Sequence, residues 1–145
     1  MHKVVIQKMV LAILFISLTT FFCSAQAAGG KNATGGAQAR IAGIWRGNSV
    51  CAVQNSPCHD EINVYRFSEI AGNPGIFSVA GSKVVDGKEI VMGTGEWRYD
   101  AEKHALQSEN SVGTFRLIVE GNKMEGNLTL RDHTVYRLIH LTRQN

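Results

Sequence analysis

The densest group of potentially reactive side chains is His59-Asp60-Glu61, three consecutive residues just after Cys58. On an extended backbone, His59 and Glu61 fall on the same face. Joined by Asp132 or His133, they would present imidazole and carboxylate donors of the kind that hold a divalent metal. Consecutive His-Asp-Glu matches no recognised ligand spacing, and it reads equally as a solvated loop. No metal is therefore assigned.

Nucleophilic chemistry has less to work with. A hydroxyl or thiol nucleophile needs an adjacent base, and the chain has no Gly-x-Ser-x-Gly motif. His104, His133 and His140 are scattered, and His140 shares its strand face with Tyr136 and Leu138. Glu61 and Glu96 are the carboxylates considered for a glycosidase-type pair, but no spacing argument brings them together. Arg98, Arg116, Arg137 and Arg143 lie on predicted strands. One of them facing inward would anchor an anionic group, whereas their charged neighbours favour the wet face. No catalytic residue and no cofactor is assigned, and an enzyme is the least supported class.

The cysteines point to a compartment. Residues 1–27 begin with Lys3 and Lys8, run through apolar residues from Met9 to Phe22, and end in Ala25-Gln26-Ala27. A basic start, a short apolar middle and a small-residue end form a secretory signal peptide. Cleavage is expected after Ala27, or after Ala25 at Cys23-Ser24-Ala25. A membrane anchor is disfavoured, because Ser17, Thr19 and Thr20 interrupt a run already short of the ~20 residues a spanning helix needs. Lipidation of Cys23 is disfavoured by the bulky Phe21-Phe22 before it. The product is then secreted or periplasmic and keeps Cys51 and Cys58, an even pair for which a disulfide is the default in an oxidising compartment. Their spacing is not Cys-x-x-Cys, so a thioredoxin-type role is not indicated.

Charge narrows the partners. The chain has 15 Lys and Arg against 12 Asp and Glu, and losing Lys3 and Lys8 leaves 13 against 12. A nearly neutral domain lacks the basic stripe of an electrostatically driven nucleic-acid binder. No nucleic acid and no membrane span after signal removal are expected.

These side chains must be positioned by strands. Residues 28–40 are rich in glycine and small residues and read as a flexible leader, which leaves 41–145 as a single domain. Strands are predicted over 44–51, 61–70, 76–85, 88–99, 104–108, 114–120, 123–130 and 134–142. Phe115, Leu117 and Val119 alternate with Arg116 and Glu120, and Met124, Leu128 and Leu130 alternate with Glu125, Asn127 and Thr129. Such alternation marks an antiparallel sheet with one buried face. Asp86-Gly87 and Gly121-Asn122 supply tight turns. Gly81 suggests a bulge, and Gly93 with Gly95 a bend at a barrel corner. The expected fold is all-β: an up-and-down meander of about eight strands that removes its edges by closing into a barrel.

The triplet Gly43-Ile44-Trp45 at the start of this meander resembles the calycin barrels, which include lipocalins, fatty-acid-binding proteins and avidins. The likeness extends as a pattern over residues 41–142. It implies a structural role for Trp45, packed at the closed end under a basic side chain from the last strand, either Arg137 or Arg143. The chain departs from lipocalins in its shortness and in lacking a Thr-Asp-Tyr triplet. It departs from avidins in having only Trp45 and Trp97 after the leader, which argues against biotin.

The leading expectation is an exported barrel that binds a small, largely apolar molecule. Its pocket would be lined by Phe77, Trp97, Phe115, Leu117, Met124 and Leu128, with Arg137 as the inward cation. Trp97 and Tyr99 share a face and would either line that cavity or fill the core. The rival is a protein-interaction or inhibitor module with a filled barrel, presenting the disulfide loop 51–58 to a protein partner. Asn32 and Asn127 stand in glycosylation sequons that matter only in a eukaryotic secretory pathway.

Overall fold

The computed structural model describes residues 40–145. The expected signal segment 1–27 and residues 28–39 of the expected leader, including the Asn32 sequon, lie outside the described residues. The rest of the chain forms β1 (Gly43–Cys51), β2 (Glu61–Glu69), β3 (Ile76–Val85), β4 (Lys88–Asp100), β5 (Ala105–Glu109), β6 (Gly113–Glu120), β7 (Lys123–Leu130) and β8 (Val135–Arg143). Each strand pairs antiparallel with the next, and β8 returns to β1 to close the barrel. The all-β, eight-strand meander expected from alternation and turn residues is the fold that forms. Among the described residues, no helix is long and apolar enough to cross a membrane.

β1 and β6 start one residue earlier than expected, at Gly43 and Gly113, and two strands start one residue later, each after a left-handed histidine turn. β5 begins at Ala105 and not at His104, whose φ of 48° finishes the preceding turn in the left-handed region. β8 begins at Val135 because His133 has φ 68° and Asp132 Oδ1 accepts a hydrogen bond from the Thr134 amide at 3.0 Å. The Asp86-Gly87 turn carries φ 49° and 75°, the pair of positive values that a type I′ hairpin requires. The register between β3 and β4 shifts at Gly81/Ser82, where the bulge was expected.

Inward residues divide the barrel into two halves of different chemistry. From the Trp45 end, Ile41, Trp45, Phe67, Phe77, Tyr99, Leu106, Leu117, Met124 and Leu141 form an apolar core that runs on through Val79, Tyr65, Trp97 and Ile139. Trp45 is fully buried, and its Nε1 donates to the Ile41 carbonyl at 2.8 Å. Arg143, from the end of β8, lies over the indole with its guanidinium carbon 5.6 Å from the ring centroid. The same guanidinium donates to the carbonyls of Arg40 and Ala42. The side chain covering Trp45 is thus Arg143, while Arg137 belongs to the opposite end. Backbones meet closely at the β1–β8 seam, where a Cβ at Gly47 would collide with the His140 carbonyl.

Candidate functional site

The half of the barrel away from Trp45 is polar inside. Arg137 Nη1 donates to the Ser49 carbonyl at 3.2 Å, the Ser49 hydroxyl at 3.3 Å and the His59 carbonyl at 3.1 Å. Its other nitrogen stands 3.5 Å from Glu61, whose second oxygen is 3.5 Å from Lys83 Nζ. Glu61 thereby bridges two cations across β2, β3 and β8. Deeper on β2, the Asn63 amide donates to the Tyr65 hydroxyl at 3.4 Å, while the buried Asn63 Oδ1 has no partner among the described residues. Burial pushes the Tyr65 hydroxyl above its ordinary pKa, against the opposing pull of the Asn63 bond and Arg137.

The disulfide Cys51–Cys58 forms, with Cα atoms 5.9 Å apart, and closes the loop above this polar end. The loop is tied down by the Cys51 amide on Asp60 Oδ1 at 2.8 Å and the Ala52 amide on the Tyr136 carbonyl at 3.0 Å. Ala52, Gln54, Asn55 and Pro57 are exposed.

A side opening lies between β4 and β5. β5 is only five residues long and pairs with Arg98–Asp100 alone. Over Lys88–Trp97, β4 therefore has β3 as its one strand neighbour. At the lip of the gap, the Ser108 hydroxyl donates to the Glu96 carbonyl at 2.9 Å. Behind it is a cavity of about 390 Å³ that reaches Tyr65, Val79, Trp97 and Phe115 inside the barrel. Gly93 and Gly95 pair with the inward positions Gly81 and Val79, and a Cβ on either would meet no atom within 4 Å. The missing side chains leave the inner wall bare at this point. The aromatic wall is continuous: Trp97 lies 5.3 Å from Phe115, 6.0 Å from Tyr65 and 5.7 Å from Phe67 between ring centroids.

A larger depression of about 630 Å³ lies on the outer wall over the same strands. It is lined by charges of both signs, among them Glu96, Arg98, Asp100, Lys103 and Arg116. The smaller cavity is aromatic at its inner end, at Tyr65, Trp97 and Phe115, and polar at its mouth, at Thr94, Glu96, Ser108, Glu109 and Asn110.

The residues singled out from the sequence scatter over these regions. Trp97 and Phe115 line the side cavity. Phe77 is buried behind it, with its ring 6.4 Å from Phe67. Leu117 and Met124 are fully buried in the packed half, Leu128 is buried beside Phe115 across the β6–β7 pairing, and Arg137 stands in the polar end. Tyr99 packs in the core, with its hydroxyl 3.3 Å from His104 Nδ1. Glu61 is held by Arg137 and Lys83, and His59 contributes only its carbonyl to that group. Glu96 sits on the outer lip of the side opening, away from Glu61. His140 is exposed, 3.8 Å from Glu125. Arg98 and Arg116 line the outer depression. Sequence reading passed over Tyr65, Ser108 and Glu109. The clue was the set Gly81, Gly93 and Gly95, three inward positions with no side chain across one strand pair.

Comparison of the chain with protein-family models, curated proteins and solved structures returns no match.

Proposed function

We propose that this protein is an exported, calycin-like carrier that takes a small, mostly apolar molecule through the side of its barrel. One observation carries the reading: a cavity of about 390 Å³ reaches the interior aromatics Tyr65, Trp97 and Phe115 through a gap that β5 is too short to close. Support for the calycin comparison comes from the closed eight-strand meander and from Trp45 lying under Arg143. Support for export comes from the Cys51–Cys58 disulfide, since such bonds persist in oxidising compartments. The apolar guest would displace poorly held water from a concave aromatic surface, the usual source of affinity in such sites.

The test is an amide-resolved NMR titration with 4-phenylbutan-1-ol as a neutral apolar probe. Saturable shifts at Gly93, Gly95 and Trp97, with Trp45 unmoved, are expected. Uniform or unsaturable shifts would remove the proposal.

The pinned, exposed segment Ala52–Pro57 favours one second reading, a recognition loop for a protein partner. Replacing that segment by Gly and Ser would abolish partner capture in the second reading and leave probe binding intact in the first.

A further inference from the structure

The charged side chains on the lining of the side cavity are Glu96 and Glu109, both acidic. Glu96 stands on β4 and Glu109 on β5, at the two lips of the opening. Among the described residues, neither carboxylate makes an ion pair. Glu96 and Glu109 also border the outer depression, where Arg98, Lys103 and Arg116 stand, but none of these three cations lines this cavity. Val79, Met92 and the aromatic faces of Tyr65, Trp97 and Phe115 supply apolar lining, Thr94, Ser108 and Asn110 add neutral polar groups, and no side chain in the lining carries positive charge.

Resting on the carrier reading above, we infer that the guest is an organic cation: an alkyl- or arylammonium whose apolar body lies against Trp97 and Phe115 and whose cationic end sits between Glu96 and Glu109. Two physical effects act in the same direction. Aromatic faces carry negative quadrupole charge and attract ammonium groups within about 6 Å. Two unpaired carboxylates at the rim add Coulomb attraction that is modest in water and strengthens as a guest excludes solvent. A carboxylate-bearing guest of the same shape meets repulsion from both lips and finds no cation in the lining. The cavity thus differs from the polar end, where Arg137 and Lys83 already share Glu61.

The experiment compares three probes of one shape: 4-phenylbutylamine, 4-phenylbutan-1-ol and 4-phenylbutanoate. Affinities are read from the amide shifts of Gly93, Gly95 and Trp97 in the full protein at low salt. The amine should bind about tenfold more tightly than the alcohol, and the acid most weakly. The amine's advantage should shrink in 1 M salt, where charges are screened within about 3 Å. In the E96Q/E109Q variant, whose altered side chains are both exposed, amine and alcohol should bind alike. Equal binding of amine and alcohol to the native protein would overturn the inference and leave the carrier reading standing. So would an amine advantage that survives E96Q/E109Q. Absence of saturable shifts with any of the three probes would remove the cavity itself, and the inference with it.

Discussion

Arg143 covers the indole of Trp45 and, with the same guanidinium, ties down the carbonyls of Arg40 and Ala42. One planar fork therefore joins the last strand to the segment that enters the first. A lysine cannot reproduce this, because its ammonium is a point donor without the fork geometry. Arg143→Ala should lower stability by about 1–3 kcal/mol, the sum expected for a cation–π contact and two carbonyl bonds to a charged donor. Arg143→Lys should fall between the two. Urea denaturation followed by tryptophan emission checks both, and an unchanged midpoint in Arg143→Ala would show that the cap contributes nothing.

The disulfide ties the end of β1, where Cys51 pairs with Arg137, to a loop segment, Ala52–Pro57, that forms no strand. Its main effect is then on the unfolded chain, and a loop this short is expected to contribute about 2–3 kcal/mol. The double variant Cys51→Ser/Cys58→Ser should lose that amount and keep the barrel's amide spectrum. The native protein under reductant should match it. A collapsed spectrum would mean that the loop holds the polar end together.

Filling the bare wall should block the cavity without harming the fold. Gly95→Leu places a side chain where a Cβ meets no atom within 4 Å. Glycine within a strand carries an entropic penalty, so stability should stay within about 1 kcal/mol of the native value or rise. Affinity for 4-phenylbutan-1-ol should fall at least tenfold. Retained affinity in a well-folded variant would place the probe elsewhere.

The polar end should behave as a coupled unit. Glu61 and Arg137 have side chains 21% and 14% exposed, so their interaction is partly shielded from water, whereas Lys83 is 37% exposed. A double-mutant cycle with Glu61→Gln and Arg137→Met should give a coupling of about 1–2 kcal/mol. Lys83→Met should cost less than about 1 kcal/mol. Additive effects in the cycle would contradict the bridge.

Alkaline stability should report Tyr65. Burial raises its folded pKa above the ordinary value of 10.0. The folded state therefore holds its proton more tightly than the unfolded chain does. Stability from this source is fully present below pH 10 and is lost as pH rises through the folded value. Tyr65→Phe leaves the Asn63 amide without its acceptor, so it should be less stable at neutral pH. Its loss of stability above pH 10 should be shallower than that of the native protein. Parallel alkaline limbs would place the titration on another group, with Tyr99, also raised by burial, as the next candidate.

Much of the architecture was legible because the relevant signals are local. Alternation at Phe115–Val119 and Met124–Leu130 set the faces of β6 and β7, and Asp86-Gly87 could hardly be other than a tight turn. The starts of β5 and β8 were misplaced by one residue because histidines in left-handed turns carry no mark in sequence. The candidate site was legible in part. Trp97 and Phe115 were named as lining, but Leu117 and Met124 have the same alternation and lie fully buried in the packed half. What separates them is how far β5 runs beside β4, a property of pairing and not of any single residue. Arg137 and Arg143 likewise share one strand face, and only the register of β8 against β1 sends one to the polar end and the other over Trp45.

The β1–β8 seam sets the order in which the barrel can assemble. Seven of its eight pairings join consecutive strands and can form by local hairpin collapse, but the eighth joins Trp45 to Arg143 across nearly the whole described chain. Contacts so distant in sequence are entropically expensive to reach and are typically made late. Until that closure, β1 and β8 each present an unpaired edge, and Trp45 lacks its cover. The seam that leaves the finished barrel without a sticky edge between its termini therefore makes every unfinished one adhesive along two.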